Sequence, residues 1–314
     1  MRPAVEVIIV NYNAGEALTR CIGSVLEQAA DPAAGPAVTV IDNASADGSA
    51  EQAEAAYGAR PGFHLLRNPG NPGFATAVNQ AARATGLVFD AAPAAAAPGY
   101  LLVLNPDCEL RPGALDHLRA ALDEDPGAGL AGPRVTDARG EVQRGTLRRF
   151  PDPWRSFVTF SGLRRLGRRW PLFRGIEQSD ELPATVARSE AVSGACMLVR
   201  RSAFAAARGM DEGYGLHCED LDLMYRLREA GLHCLFVPQA CAVHHQGLSS
   251  ASRPLWVHWQ KHRGMQRFFR KFQASRYPGP VRGLVIAGIW ARFALTSPPV
   301  LWRSLRTTFG RSAG

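Results

Sequence analysis

With 314 residues, 46% of them hydrophobic, the chain is long enough to bury a sizeable core, as one large domain or a domain with appendages. Its formal net charge of +8 rests almost wholly on arginine, with lysine only at Lys261 and Lys271. That balance favours anionic partners (phosphates, nucleic acid or an acidic membrane face), the alternative being a plain solvated basic surface, which is preferred to nucleic-acid binding. The six cysteines (Cys21, Cys108, Cys196, Cys218, Cys234, Cys241) form no CxxC pair, which excludes a zinc ribbon and points to reduced thiols in a cytoplasmic protein.

In chain order, Val5 to Val10 reads as a buried parallel strand ending at Asn11-Tyr12-Asn13, and so not as a signal peptide. Residues 18–29 have helical spacing through Leu18, Cys21, Ile22, Val25 and Leu26. VTVID, 38–42, is a second strand, 49–57 a helix, and FHLLRN, 63–68, a third strand. The turn NPGNPGF leads into a helix over 75–84. An Ala/Pro-rich surface loop spans 91–99. The strand LLVL then ends in Asn105-Pro106-Asp107. Four strand–helix alternations predict an α/β layer with a mostly parallel sheet, in which ligands bind beyond the carboxyl ends of the strands. Asn11, Asp42, Asn68 and Asp107 all stand at such ends.

Further on, 115–122 reads as a helix and 129–135 as a short strand. Regularity weakens over 142–188, a segment rich in arginine pairs and aromatic residues. It returns with a strand over AVSGACMLVRR, a helix over 220–230 and the strand HCLFVP. The tail is basic and amphipathic. Pro298-Pro299 is expected to break any helix there, and no uninterrupted apolar run reaches the roughly 18 residues of a spanning helix. With Trp290, Phe293 and Trp302 among arginines, residues 281–309 read as interfacial, the alternative being two helices packed on the domain.

Three acids carry candidate chemistry. Asp107, alone at a strand end, suits a hard divalent cation that bridges protein carboxylate to substrate phosphates, or it caps a turn. Asp42 could accept hydrogen bonds from a nucleotide base or ribose, or close an Asx-turn while Ser45 or Asp47 caps the next helix. Asp220, beside Glu219 at a helix start, could take a proton from an attacking hydroxyl, or simply favour the helix dipole. NPGNPGFATAVN, 68–79, is a tight strand–helix turn whose free amides would also suit a diphosphate.

VNYN at 10–13, IDNASADGS at 41–49, NPDCEL at 105–110, HCEDLDLMYR at 217–226 and VHHQGLSS at 243–250 together resemble a family 2 glycosyltransferase of the GT-A fold, in its rhamnosyltransferase-like branch. The likeness runs from about residue 5 to about 250. Gly209-Met210-Asp211-Glu212 resembles the family's lead-in to its ED motif. The resemblance implies a GT-A catalytic domain over 1–255, with a nucleotide-binding half (1–110) and an acceptor-side half (111–255), and a C-terminal helical extension over 256–314. It implies an inverting, metal-dependent enzyme that moves a sugar from a nucleotide-diphosphate donor, with dTDP-rhamnose as a branch-level guess. The acceptor is a hydroxyl of a glycan or lipid-linked glycan.

In that reading Asp220 is the base and Glu219 orients it or the acceptor. Asn11, Tyr12, Asp42, Asn43, Gly73, Phe74, Asn79 and Asn105 line the donor, and Asp107 and His244 hold Mn2+ or Mg2+, with His245 as the other candidate. Asn105 replaces the first acid of the family's DxD motif. Val192-Ser193-Gly194-Ala195 would lie beside the acceptor, or is simply close-packed. The expected setting is the cytoplasm, with peripheral contact at the inner membrane face and no nucleic-acid partner. A nucleotidyltransferase on a related fold would want a lysine near the first strand end, where none stands. A non-catalytic sugar- or nucleic-acid-binding protein gives the three acids no common purpose.

Overall fold

The computed structural model describes residues 5–29, 35–89, 99–178, 182–245 and 253–310, with side chains to Leu301 in the last stretch. Strands β1 (Val5–Asn11), β2 (Ala37–Asp42), β3 (Phe63–Arg67) and β4 (Tyr100–Leu104) run parallel, in the order β3-β2-β1-β4. Helices α1 (Glu16–Leu26), α2 (Ser49–Tyr57) and α3 (Phe74–Ala84) separate them. β1, β2 and β4 are buried on both faces, which is why they are nearly continuous apolar runs, while β3 at the sheet edge is only partly buried. Val7 and Ile9 of β1 pack with Leu18, Ile22 and Val25 of α1. Ile8 and Val10 face the opposite side, with Val78 of α3.

Beyond β4 the sheet becomes mixed. A short β5 (Cys108–Leu110) and helix α4 (Ala114–Glu124) lead to β6 (Ala128–Thr136). A two-residue β7 (Leu147–Arg148) and helix α5 (Pro153–Phe160) lie in the 142–188 segment, followed by two 3-10 turns. Then come β8 (Ala187–Ser189), β9 (Ala191–Val192), β10 (Cys196–Arg200) and helices α6 (Arg201–Ala206) and α7 (Glu219–Glu229), and β11 (His233–His244). β10 lies antiparallel between β4 and β6. β11 runs parallel to β6, and β5 and β8 pair antiparallel with β11.

Three expectations are corrected. The single strand expected over AVSGACMLVRR is two: β9 leaves to pair with β7, and a turn over 193–195 precedes β10. The Ser-Gly pair supplies the break. HCLFVP extends to His244, with a register shift between Val237 and Cys241 that accommodates Pro238. The Ala/Pro loop lies outside the described residues except for Gly99, and so do residues 246–250.

The tail departs most. After α8 (Pro254–Phe272), helix α9 runs Gly279–Gly310 with Pro298 and Pro299 inside it. A proline removes one N–H and crowds the carbonyl four residues back. The carbonyls left without an N–H are those of Ala294 and Leu295; just ahead of the pair, Thr296 Oγ1 donates to Arg292 O (2.7 Å) and Ser297 Oγ to Phe293 O (2.6 Å). Residues Gly279–Leu301 are, by length and composition, enough to cross a membrane, at 23 residues and mean hydropathy 1.5, with none of that stretch buried. α8 packs on α7 through an aromatic cluster in which Tyr225 lies 5.5 Å from Phe268 and 4.3 Å from Phe272.

Candidate active site

The parallel strands end on one edge, and their terminal polar residues hold one another. Asn11 and Asp42 are register partners. Asn11 Nδ2 donates to Asp42 Oδ1 (2.7 Å) and Ser49 Oγ (2.8 Å). Ser45 Oγ donates to the same Asp42 oxygen (2.6 Å), and Ser45 N–H to Asp42 Oδ2. Asp42 therefore closes its own loop, while Asp47 accepts from Ser49 N–H at the start of α2. Asn43 accepts from Asn68 and donates to Asn71, whose Oδ1 also takes the Gly73 N–H. Gly73 sits at φ 98°, a conformation that favours glycine, just ahead of the open N-terminus of α3. Tyr12 is half-buried beside Asn11, and Phe74 packs at the core edge.

Asn79 is occupied differently. Its Nδ2 donates to Met210 O and Glu212 Oε1, and its Oδ1 accepts from Met210 N–H, each at 2.8 Å. Its amide pins α3 to the 209–212 loop.

After β4, Asn105, Asp107 and His244 converge. His244 Nε2 lies 3.1 Å from Asp107 Oδ1 and 3.3 Å from Asn105 Nδ2. Of the two adjacent histidines, His244 faces Asp107, while His245 faces Glu109 (3.1 Å). Gln143 grips His244 twice. Its Oε1 lies 3.1 Å from Nδ1, and its Nε2 donates to the His244 carbonyl. With Gln143 accepting from Nδ1–H, the Nε2 lone pair faces the Asp107 carboxylate and the Asn105 amide, where it could serve as a metal ligand.

The separation suits a cation. Two cis ligands with bonds of about 2.1 Å stand about 3.0 Å apart. Among the described residues no three His, Cys, Asp or Glu side chains gather at one point. A cation here would take Asp107 and His244 from the protein and its other ligands from substrate phosphate or water.

The second acidic centre opens α7. His217 and Cys218 both have left-handed backbone, φ 67° and 70°, an arrangement costly for non-glycine residues. Glu219 and Asp220 follow in the first turn. Arg148 donates to Asp220 Oδ2 and to Val192 O (2.6 Å). Burial by itself raises the Asp220 carboxyl. The Arg148 charge and hydrogen bond, with the Leu221 N–H, outweigh that and hold it below the usual carboxylate range. Glu219 moves the other way, pushed up by burial and by the Asp220 charge. Burial also lowers His217, to about 4, so its ring is neutral. Glu219 Oε2 and Arg148 Nε are buried without a hydrogen-bond partner among the described residues.

One turn joins the two centres. Ala195 O accepts from Asn105 N–H at 2.9 Å. A Cβ on Gly194 would stand 2.6 Å from Asp220 Oδ2, so only glycine lets the turn lie against that carboxylate. Spacing and element ends gave no sign of Gln143 or Arg148, which come from the irregular segment after β6.

The sequence profile of Glycosyl transferase family 2 matches residues 6–206. The chain belongs to this family. The chain is 30% identical over 308 residues to the N-acetylglucosaminyl-diphospho-decaprenol L-rhamnosyltransferase of Mycobacterium tuberculosis, covering 98% of this chain and 97% of that one. The fold matches a crystal structure of GalNAc-T7 with UDP, GalNAc and Mn2+ (TM-score 0.55, 19% identity, 85% of this chain and 48% of that one). It also matches the mannosyltransferase PcManGT of Pyrobaculum calidifontis with GDP-Man and Mn2+ (TM-score 0.53, 19% identity, 100% and 76%). The chain thus has the GT-A fold of these glycosyltransferases.

Two predictions follow from the geometry. Gln143→Leu removes both bonds to His244, and Mn2+ affinity measured by EPR with nucleoside diphosphate present falls roughly 10–100-fold. Gln143→Glu still accepts from Nδ1–H but loses the donor to the His244 carbonyl, so its affinity falls less than the leucine variant's; unchanged affinity in the leucine variant would contradict the orienting role. In Arg148→Gln the Asp220 carboxyl loses the charge that depresses it, so its 13C signal titrates at higher pH than in the parent. An unmoved titration would show that Arg148 does not set it.

Proposed function

We propose that the chain is an inverting glycosyltransferase that moves a sugar, of the deoxyhexose class named for its mycobacterial relative, from a nucleotide-diphosphate donor to a hydroxyl of a lipid-linked glycan. The carrying observation is the carboxylate of Asp220, held by the Arg148 guanidinium and set against Gly194, with Arg148 pulling it towards its ionised form and burial pushing Glu219 towards its neutral one. The extent of the match to the mycobacterial enzyme, nearly end to end, supports the acceptor class. A nucleotide-sugar donor and a lipid-linked acceptor would meet at the inner face of the cytoplasmic membrane.

The donor lies across the strand ends, with its nucleotide near Tyr12, Asp42 and Asn43 and its diphosphate between the α3 N-terminus and Asp107. A divalent cation held by Asp107 and His244 would supply positive charge to the diphosphate leaving group. The acceptor hydroxyl enters beside Gly194. Its oxygen forms the bond to the anomeric carbon as the bond to the diphosphate breaks, and its proton passes to Asp220. Arg148 keeps Asp220 ionised but also makes it a weaker base. The proton therefore moves late, once bond formation has made the oxygen acidic. Neutral Glu219 spares the site a second negative charge beside the base.

The test is nucleotide release across a panel of nucleotide sugars with a lipid-linked glycan acceptor, in Mn2+, Mg2+ or chelator, for the parent and Asp220→Asn. Release from one donor, abolished by chelator and reduced at least ~100-fold in the variant, is the expected result. Release that ignores Asp220→Asn removes that residue as the base. Absence of both turnover and nucleotide binding would overturn the assignment.

A further inference from the structure

The α8–α9 pair carries a face that sugar transfer does not use. The two helices lie side by side and antiparallel. Trp290 Nε1–H donates to Gln266 Oε1 (2.6 Å), Arg292 meets His262 (2.9 Å), and Thr296 meets His258 (2.8 Å). Along their seam opens a cavity of about 550 Å³, walled by Trp259, Trp290, Arg263, Arg267, Arg270 and Lys271. Two of these cations are matched: Arg267 and Lys271 both bind Asp211, and Lys271 also binds Asp222. Arg263 and Arg270 have no carboxylate partner among the described residues, and Arg263 lies over the Trp259 ring, 5.3 Å from its centroid.

Up to Leu301, α9 is mostly apolar and carries uncovered leucines, with Leu284 73% and Leu295 80% exposed. Of the two arginines in its apolar stretch, Arg292 turns onto His262 and lies 3.9 Å over the Phe160 ring, and Arg282 donates to Tyr277 O. By composition α9 could span a bilayer. The pairing argues against it. Residues 290–296 lie against 258–266, so a spanning α9 would draw the cations of α8 into hydrocarbon. A helix pair with uncovered leucines, aromatic walls and unmatched arginines at the seam fits the plane of the bilayer surface instead. α8 is also in contact with the turn ahead of α7: Gly264 abuts His217 O, and Gln260 abuts Gly215.

We propose that α8 and α9 lie in the plane of an anionic bilayer, with Arg263 and Arg270 taking phospholipid headgroup phosphates and Trp259 and Trp290 at the acyl boundary. This gives the proposed lipid-linked acceptor a surface one helix away from Asp220. The test involves no turnover, so the two readings can fail separately.

The full chain is floated with vesicles of phosphatidylcholine, alone or with phosphatidylglycerol. Binding to the anionic vesicles that weakens with salt is expected. Arg263→Gln with Arg270→Gln lowers that affinity roughly 30-fold, about fivefold per arginine. Both side chains are exposed, so nucleotide binding and the circular dichroism spectrum stay as in the parent. Alkaline carbonate strips the bound chain. Equal binding to neutral vesicles, unchanged affinity in the double variant, or resistance to carbonate would each overturn the proposal. So would recruitment by a polyprenyl diphosphate in neutral vesicles that exceeds phosphatidylglycerol at matched charge, since the pocket would then take the acceptor and not the bilayer.

Discussion

The site depends on one topological constraint, the insertion of β10 antiparallel between β4 and β6. A parallel strand there would begin at the far edge of the sheet. An antiparallel one begins where β4 ends, so the 193–195 turn that feeds β10 lands beside Asn105. The same turn carries Gly194, the residue that lets the Asp220 carboxylate approach. The centre at the strand ends and the centre at the α7 start are thereby tied to one turn, by the Asn105–Ala195 backbone hydrogen bond on one side and by Gly194 and the Arg148 side chain against Asp220 on the other.

Charge is distributed to match. Three acids in the first turn of α7 would repel one another if all were ionised and unpaired. Asp222 is paired with Arg226 and Lys271, Asp220 with Arg148, and Glu219 is driven towards its neutral form. Lys271 also binds Asp211, so α8 ties the α7 start to the 209–212 loop that Asn79 holds from the other side. The segment 143–148 reaches both centres, His244 through Gln143 and Asp220 through Arg148.

The parallel half of the fold was legible because burial on both faces leaves strands such as Val7 to Val10 no polar positions. Asn11, Asp42 and Asp107 could be placed at strand ends for the same reason, since the apolar run stops there. What these ends bind could not be read so directly: Asp42 closes its own loop, and the Asn79 amide is spent on Met210. Gln143 and Arg148 were invisible because they act on residues 101 and 72 positions away, from a stretch with no periodicity. The Pro298-Pro299 break failed because the helix runs on through the pair, which leaves only the Ala294 and Leu295 carbonyls without an N–H. The two-strand split at Ser193-Gly194 had a local signal in that dipeptide, which the apolar residues on either side outweighed.

The central claim is a single displacement in which one ionised carboxylate, Asp220, removes the acceptor proton. The most direct measurement is the anomeric configuration of the first product formed, read by 1H NMR before any equilibration. The account predicts a glycosidic bond of configuration opposite to that of the donor. Retention would require a second displacement, and would contradict the assignment of Asp220 as the base of a one-step transfer.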